Sequence, residues 1–144
     1  MKILSLLVLT LLLSACVPAM TESAVRPAAH SQANASVDYR EYTTSPVMAA
    51  DFSNIQDWSS PDPEHVVLWS TPNRAYLVSL MGACLQLQDA PTIGISGGAG
   101  GSFVRAGRDA ILVQGERCPI RRIDRLDTRR LKAALAAAGQ PVHE

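Results

Sequence analysis

The chain has 144 residues, 47% of them hydrophobic, and thirteen basic residues balance thirteen acidic ones. This length leaves room for one domain, and not comfortably for two, once an N-terminal leader is removed. Basic residues concentrate between residues 105 and 132, but that stretch contains no aromatic side chain to stack on bases, so we expect no nucleic-acid partner.

The N-terminus has the features of a secretory signal. Met1-Lys2 supplies a positive n-region, and the apolar run that follows is shorter than the roughly 20 residues of a membrane-spanning helix. The run closes on Leu13-Ser14-Ala15-Cys16, which resembles a bacterial lipobox. This resemblance implies that residues 1–15 are a lipoprotein signal peptide and that Cys16 carries the lipid, palmitate included.

Two localisations follow from this segment. Val17 is not the aspartate typical of lipoproteins retained in the inner membrane, so the resemblance implies the periplasm-facing side of the outer membrane. The alternative is ordinary cleavage after Ala19, which would discard Cys16 and release a soluble secreted or periplasmic protein.

The next segment, residues 16–50, is predicted to be a flexible tether. It is rich in Ala, Ser, Thr and Pro, and cannot bury enough apolar surface to offset its ordering entropy. About 34 flexible residues give an end-to-end distance of roughly 30 to 35 Å. In the alternative interpretation the segment packs on the domain, and Tyr39 and Tyr42 are the residues that dock.

The folded domain is predicted over residues 51–144. The spacing of Phe52, Ile55 and Trp58 suggests one or two helical turns. Runs of β-branched and aromatic residues then predict strands, with Pro119 at a sheet edge or at a strand end because proline donates no ladder hydrogen bond. The predicted strands lie at about residues 65–70, 75–81, 92–96, 102–105, 110–114 and 117–120.

The first two strands form a hairpin, the next two flank a glycine-rich tip, and Gly115-Glu116 is a tight turn. Asp127 is a predicted N-cap before an apolar stripe that includes Leu131 and Leu135, and Gly139 ends the helix. The expected fold class is α+β: a small β-rich domain of about six mostly antiparallel strands with a C-terminal helix.

Cys84 and Cys118 are the remaining cysteines. An even pair in a chain bound for an oxidising compartment predicts a disulfide, with free buried thiols as the alternative. A redox-active thiol is disfavoured because there is no CxxC and no nearby histidine.

The domain resembles a known family. The marks of the resemblance are Val67-Leu68-Trp69, Ala75 to Leu80, Cys84 and Arg117-Cys118-Pro119-Ile120, within residues 51–127. They are similar to an uncharacterised family of small bacterial secreted or lipoprotein envelope proteins. The resemblance implies a secreted, disulfide-bearing domain and supplies no reaction, ligand or catalytic residue.

Motifs for catalysis or cofactor binding are weak. The glycine-rich stretch at 94–102 lacks the lysine of a phosphate loop and leads into a predicted strand. Ser96 between Gly94 and Gly98 matches GxSxG, but His65 is the one histidine in the domain core that would serve as base. His30 and His143 are too scattered for a metal site. We therefore expect no catalytic, cofactor-binding or metal residues.

The functional hypothesis is a non-catalytic envelope lipoprotein that binds a periplasmic protein or cell-wall partner such as peptidoglycan. One alternative is a small inhibitor of a periplasmic hydrolase or protease, presenting the loop from Ser96 to Ser102. A further alternative is an unrecognised hydrolase. The basic stretch at 105–132 is most simply a solvated face that the acidic residues between 38 and 64 partly neutralise.

Overall fold

The structure is a computed structural model that describes residues 37–97 and 103–142. Within these residues a 3₁₀ turn (Tyr39–Tyr42) precedes nine strands and one helix. The strands are β1 (Thr43–Val47), β2 (Ala49–Asp51), β3 (Asp57–Asp62), β4 (His65–Thr71), β5 (Arg74–Leu80), β6 (Gly94–Ser96), β7 (Phe103–Arg105), β8 (Ala110–Val113) and β9 (Glu116–Leu126). The helix is α1 (Thr128–Ala137).

Strand β9 organises the main sheet, whose order is β3-β4-β5-β9-β8-β6 with antiparallel pairing throughout. One edge of β9 pairs with β5, whereas the other edge pairs first with β8 and then with β1. Strands β2 and β7 form a separate antiparallel ribbon. The predicted class is confirmed: a mostly antiparallel half-barrel sheet with one C-terminal helix and one disulfide, although nine described strands replace the six expected.

Strands β4 and β5 are buried on both faces, which explains their nearly continuous apolar sequences. Side chains alternate between the faces, so Val66 and Leu68 lie in the core that the half barrel encloses. Val67 and Trp69 lie on the opposite face, in a second cluster with Leu135 of α1.

Helix α1 forms as predicted. The Asp127 carboxylate accepts a hydrogen bond from the Arg130 backbone N–H at 3.1 Å, which satisfies one of the free amides of the first turn. The helix ends where Gly139 adopts a φ of +67° and the Gln140 N–H donates to the Leu135 carbonyl at 2.9 Å. These contacts form a Schellman motif, which needs the left-handed conformation that glycine supplies.

The turn between β8 and β9 consists of Gln114 and Gly115, with φ of +47° and +89°. Two successive left-handed residues are typical of a type I′ hairpin, one residue earlier than the predicted Gly115-Glu116 turn. The prediction for Pro119 is wrong, because this residue lies inside the central strand β9. The Pro119 carbonyl accepts a hydrogen bond from the Met81 N–H at 2.8 Å, and Met81 follows the last residue of β5. The Pro119 nitrogen, which carries no hydrogen, therefore lies on the edge of β9 where β5 has already ended.

Residues 37–50 belong to the domain, so the predicted tether boundary at residue 50 is too late. Strand β1 pairs with β9, Ala50 is buried in the half-barrel core, and Tyr39 and Tyr42 pack against the second cluster. This is the docking that the alternative interpretation expected. The physical reason is that β8 leaves part of one β9 edge unpaired, and β1 satisfies those backbone groups. The remainder of the predicted tether, with Cys16, lies outside the described residues.

Two further sequence predictions are wrong in detail. Phe52 lies in an irregular segment with its ring edge-on to Tyr76, 5.2 Å between centroids, and Trp58 lies in β3 instead of on a helical turn. Both still contact the half-barrel core, since burial requires apolar character and not a helical period. The strands beside the glycine-rich tip do not pair with each other: β6 pairs with β8, and β7 with β2.

Cys84 and Cys118 form the predicted disulfide, which joins the segment after β5 to strand β9 with 5.9 Å between the Cα atoms. Both residues are buried. In the part of the chain that the structure describes, no helix combines the length and apolar character that a membrane crossing requires.

Candidate functional site

Two polar regions of the domain are candidates for function. The first, the histidine corner, consists of Arg40, Asp62 and His65. The second, the cationic groove, consists of Arg125, Arg129, Arg130 and Lys132. The histidine corner lies where β3 turns into β4, and the cationic groove lies where β9 leads into α1.

Asp62 is the centre of the histidine corner. Its two carboxylate oxygens lie 2.7 and 2.9 Å from Nδ1 of His65, three residues later across the turn. The same carboxylate accepts the Glu64 backbone N–H at 2.8 Å and pairs with Nη2 of Arg40 at 3.3 Å. One side chain therefore links the β3–β4 turn, a buried imidazole and the 3₁₀ turn at the start of the described chain.

These contacts shift the acidity of Asp62. Burial alone would raise its pKa, but the hydrogen bonds from His65 and the Glu64 N–H, together with the charges of His65 and Arg40, lower the pKa below its ordinary value of 3.8. The ionised carboxylate favours a state in which His65 Nδ1 carries a hydrogen and donates it, and the Nε2 atom takes no part in this contact. Beside His65, with Tyr39 and Leu77 in its wall, lies a cavity of about 220 Å³.

Polar residues continue from the histidine corner across the sheet. Ser79 is the cross-strand partner of His65, and Arg122 is the partner of Ser79, so the three share one face. Nε of Arg122 donates to both oxygens of the buried Asp124 at 2.9 and 2.8 Å. His65 and Ser79 are both described, and no hydrogen bond joins them. The corner therefore offers an oriented base without an assembled nucleophile–base pair.

Ser96, the GxSxG match, has a structural contact. It lies on β6, and its Oγ accepts the Ala110 N–H at 2.8 Å, which ties β6 to β8. An exposed nucleophile on a strand-to-helix turn would have a different geometry. The rest of the proposed inhibitory loop, residues 98–102, and the histidines at 30 and 143 lie outside the described residues.

One group of side chains among the described residues has metal-compatible spacing: Cys84, Glu116 and Cys118. Both cysteines are in the disulfide, and a disulfide sulfur is not the thiolate that metals bind.

The cationic groove has a volume of about 950 Å³, and Thr44 and Asn73 complete its wall. Within the described residues, Arg125, Arg129 and Lys132 have no acidic side chain within salt-bridge distance. Arg130 differs, because its guanidinium lies over the Tyr42 ring, 5.5 Å from the centroid, and so also holds α1 to the 3₁₀ turn.

The other polar groups of the groove are engaged in the fold. Asp127 caps α1, the Thr44 hydroxyl donates to the Arg125 carbonyl at 3.1 Å, and the Thr128 hydroxyl donates to the Asn73 carbonyl at 3.2 Å. The three unpaired cations are therefore what the groove offers to a ligand.

The sequence indicated the basic stretch but not where its charge converges. Arg40 pairs with Asp62, and Arg122 pairs with Asp124. The histidine corner was not predicted from the sequence, although Asp62 and His65 are only three residues apart.

Comparison with known proteins yields a family and no function. No curated protein and no solved structure matches the chain at a significant level. A family match covers residues 1–141, and so includes the N-terminal segment and the final helix that the sequence resemblance had left out. The chain therefore belongs to a family of unknown function (DUF6491).

Proposed function

We propose that the protein is a non-catalytic binding domain of the bacterial cell envelope, held by lipid on Cys16 at the periplasmic side of the outer membrane. The observation that carries this proposal is the buried Cys84–Cys118 disulfide. Structural disulfides persist in oxidising compartments and are rare in the cytosol. The lipobox-like Leu13–Cys16 segment supports the same compartment and supplies the site of attachment.

The unpaired cations of the cationic groove support binding as the activity. A catalytic centre of the nucleophilic type needs a nucleophile, a base and a stabilising group in mutual contact. The histidine corner supplies the base alone, whereas the groove offers three positive side chains that form no salt bridge with a described acidic residue.

Metabolic labelling with a fatty-acid analogue tests the anchor. The wild-type protein is expected to take up label and to fractionate with the outer membrane, and Cys16→Ser is expected to lose the label. The double variant Cys84→Ala/Cys118→Ala is the matched control, since it removes two cysteines and keeps the acylation site. The proposal is rejected if Cys16→Ser still takes up the fatty-acid label. It is also rejected if the protein is found in the cytosol with alkylatable thiols at Cys84 and Cys118.

The second candidate function is hydrolysis, which the Asp62–His65 pair favours. If the pair acts as a base, His65→Ala should abolish hydrolysis of at least one ester, amide or glycan in a substrate panel, while the folded protein persists. Equal activity in wild type and His65→Ala, or none in either, leaves the binding function as the better account.

A further inference from the structure

We propose that the cationic groove docks the domain onto the anionic lipid surface of the membrane that carries its anchor, through the phosphates of acidic lipid head groups. This inference deepens the proposed function and rests on its membrane anchor. Arg125, Arg129 and Lys132 are the residues that make the contact, and Arg130 borders it from its position over Tyr42.

The charge arrangement is the first argument. Arg125 comes from the end of β9, while Arg129 and Lys132 come from the first turns of α1, so two elements direct cations into one groove. Arg129 near the positive end of the helix dipole is locally unfavourable. The first turn contains no acidic residue, and the negative charge beside it is the Asp127 carboxylate that caps the helix. Guanidinium groups bind phosphate through two parallel hydrogen bonds, which matches a lipid phosphodiester.

The amide groups of the helix start are not the binding element. The Asp127 carboxylate already accepts the Arg130 N–H and so occupies that position. The side-chain charges on both sides of it remain available, because no described acidic residue pairs with Arg125, Arg129 or Lys132.

The path of the chain is the second argument. The described chain starts at Val37, which packs with the cluster beneath α1 and lies beside Ala134 and Ala137 of that helix. The first described residue therefore lies on the side of the domain that carries α1. Cys16 is about 21 residues before Val37, so the anchor lies within about 75 Å of it even if the intervening chain were fully extended. Because the anchor keeps the membrane within this distance, the effective concentration of lipid head groups at the domain is high. Weak contacts are then enough to dock the domain on the membrane.

Vesicle binding of the unacylated chain tests the groove separately from the anchor. Residues 17–144, exported behind a conventional signal, contain every described contact, since the described core lies between residues 37 and 142. Sedimentation is measured with phosphatidylcholine vesicles and with vesicles containing about one third phosphatidylglycerol, at low salt and at about 0.5 M salt, where surface charge is screened. Binding is expected only to the anionic vesicles and is expected to fall in high salt.

The decisive variant is Arg125→Gln/Arg129→Gln/Lys132→Gln. Each Lys or Arg at an anionic surface contributes about a fivefold factor in partition, so removal of three charges should weaken binding about a hundredfold. The matched control is Arg108→Gln/Arg117→Gln/Arg121→Gln, which removes the same charge from exposed residues outside the groove. The control triple should retain most of the binding, and the melting temperature of the groove triple should not fall.

Three outcomes would overturn the inference. The first is no binding to anionic vesicles at low salt, and the second is equal loss in both triple variants, which would reflect net charge alone. The third is that the protein binds soluble peptidoglycan fragments but not vesicles, which would show that the ligand of the cationic groove is a polyanion other than lipid. Failure of the anchor proposal has a different signature: Cys16 takes up no fatty-acid label, whatever the vesicle result.

Discussion

Removal of the Cys84–Cys118 disulfide tests whether a covalent link is needed to hold this small domain together. The bond joins residues 34 positions apart, and both are buried. In the chain-entropy treatment, opening a loop of this size raises the entropy of the unfolded chain enough to cost about 4 kcal/mol at 25 °C. Since a domain of this size has a total stability of roughly 5 to 15 kcal/mol, the expected loss is a large part of it.

The double variant Cys84→Ala/Cys118→Ala should therefore unfold about 15 to 30 °C below the oxidised protein, at roughly 4 to 8 °C per kcal/mol for a domain near 100 residues. The segment after β5 should loosen most, because the Cys84 N–H bond to the Pro63 carbonyl and the buried Leu87 then hold it without the covalent link. Faster hydrogen exchange there would locate the effect.

Urea unfolding with and without a reductant measures this loss. Reduction of the wild type should lower its midpoint toward that of the double variant, and the variant itself should be insensitive to reductant, which makes it the internal control. A loss below about 1 kcal/mol would show that the loop-closure reasoning fails, because residual order in the reduced unfolded chain would then limit its entropy.

Three smaller perturbations test the packing, the ion pair and the serine. Leu135→Ala should lower the free energy of unfolding in urea by about 2 to 4 kcal/mol, because it empties part of the cluster beneath α1. The control Ala136→Ser, on the exposed side of the helix, should lower it by less than about 0.5 kcal/mol. Equal effects of the two substitutions would contradict the assigned helix face. Asp62 has a lowered pKa in the folded state, so its contribution to stability is present above its ordinary pKa of 3.8 and is lost as the pH falls through the lower folded pKa. Asp62→Asn should accordingly destabilise the protein at pH 7 and approach the wild type in acid, and a difference in unfolding midpoint that does not shrink would refute the ion pair. Ser96→Ala should cost about 1 kcal/mol through the lost Ala110 N–H bond, and loss of a detected hydrolytic activity without unfolding would contradict a purely structural serine.

Several elements were predictable because their determinants are local. The cap at Asp127, the apolar stripe through Leu131 and Leu135 and the terminator Gly139 each act within a few residues, and all are as expected. The β4–β5 hairpin followed equally from its two runs of β-branched and aromatic residues. Such short-range signals are interpretable because backbone propensity and side-chain spacing decide them.

Other features were not predictable because they depend on partners far along the chain. The segment Thr43–Val47 has the composition of a linker, and it is a strand because one edge of β9, about 80 residues later, requires a partner for its backbone groups. Pro119 was expected at a sheet edge or a strand end because proline has no N–H to donate to a neighbouring strand. Its position inside β9 costs no strand hydrogen bond, because β5 has ended where that N–H would be needed.

The candidate sites divide in the same way. The residue types alone indicated a basic stretch, an even pair of cysteines and a segment resembling a lipobox, because composition and short spacing are properties of the chain. The tertiary structure alone decided that Asp62 bridges His65 and Arg40. It also decided that Arg125, Arg129 and Lys132 share a groove in which no described acidic side chain forms a salt bridge with them. Pairing of charges is a matter of distance in space, and the folded sheet and its helix determine those distances.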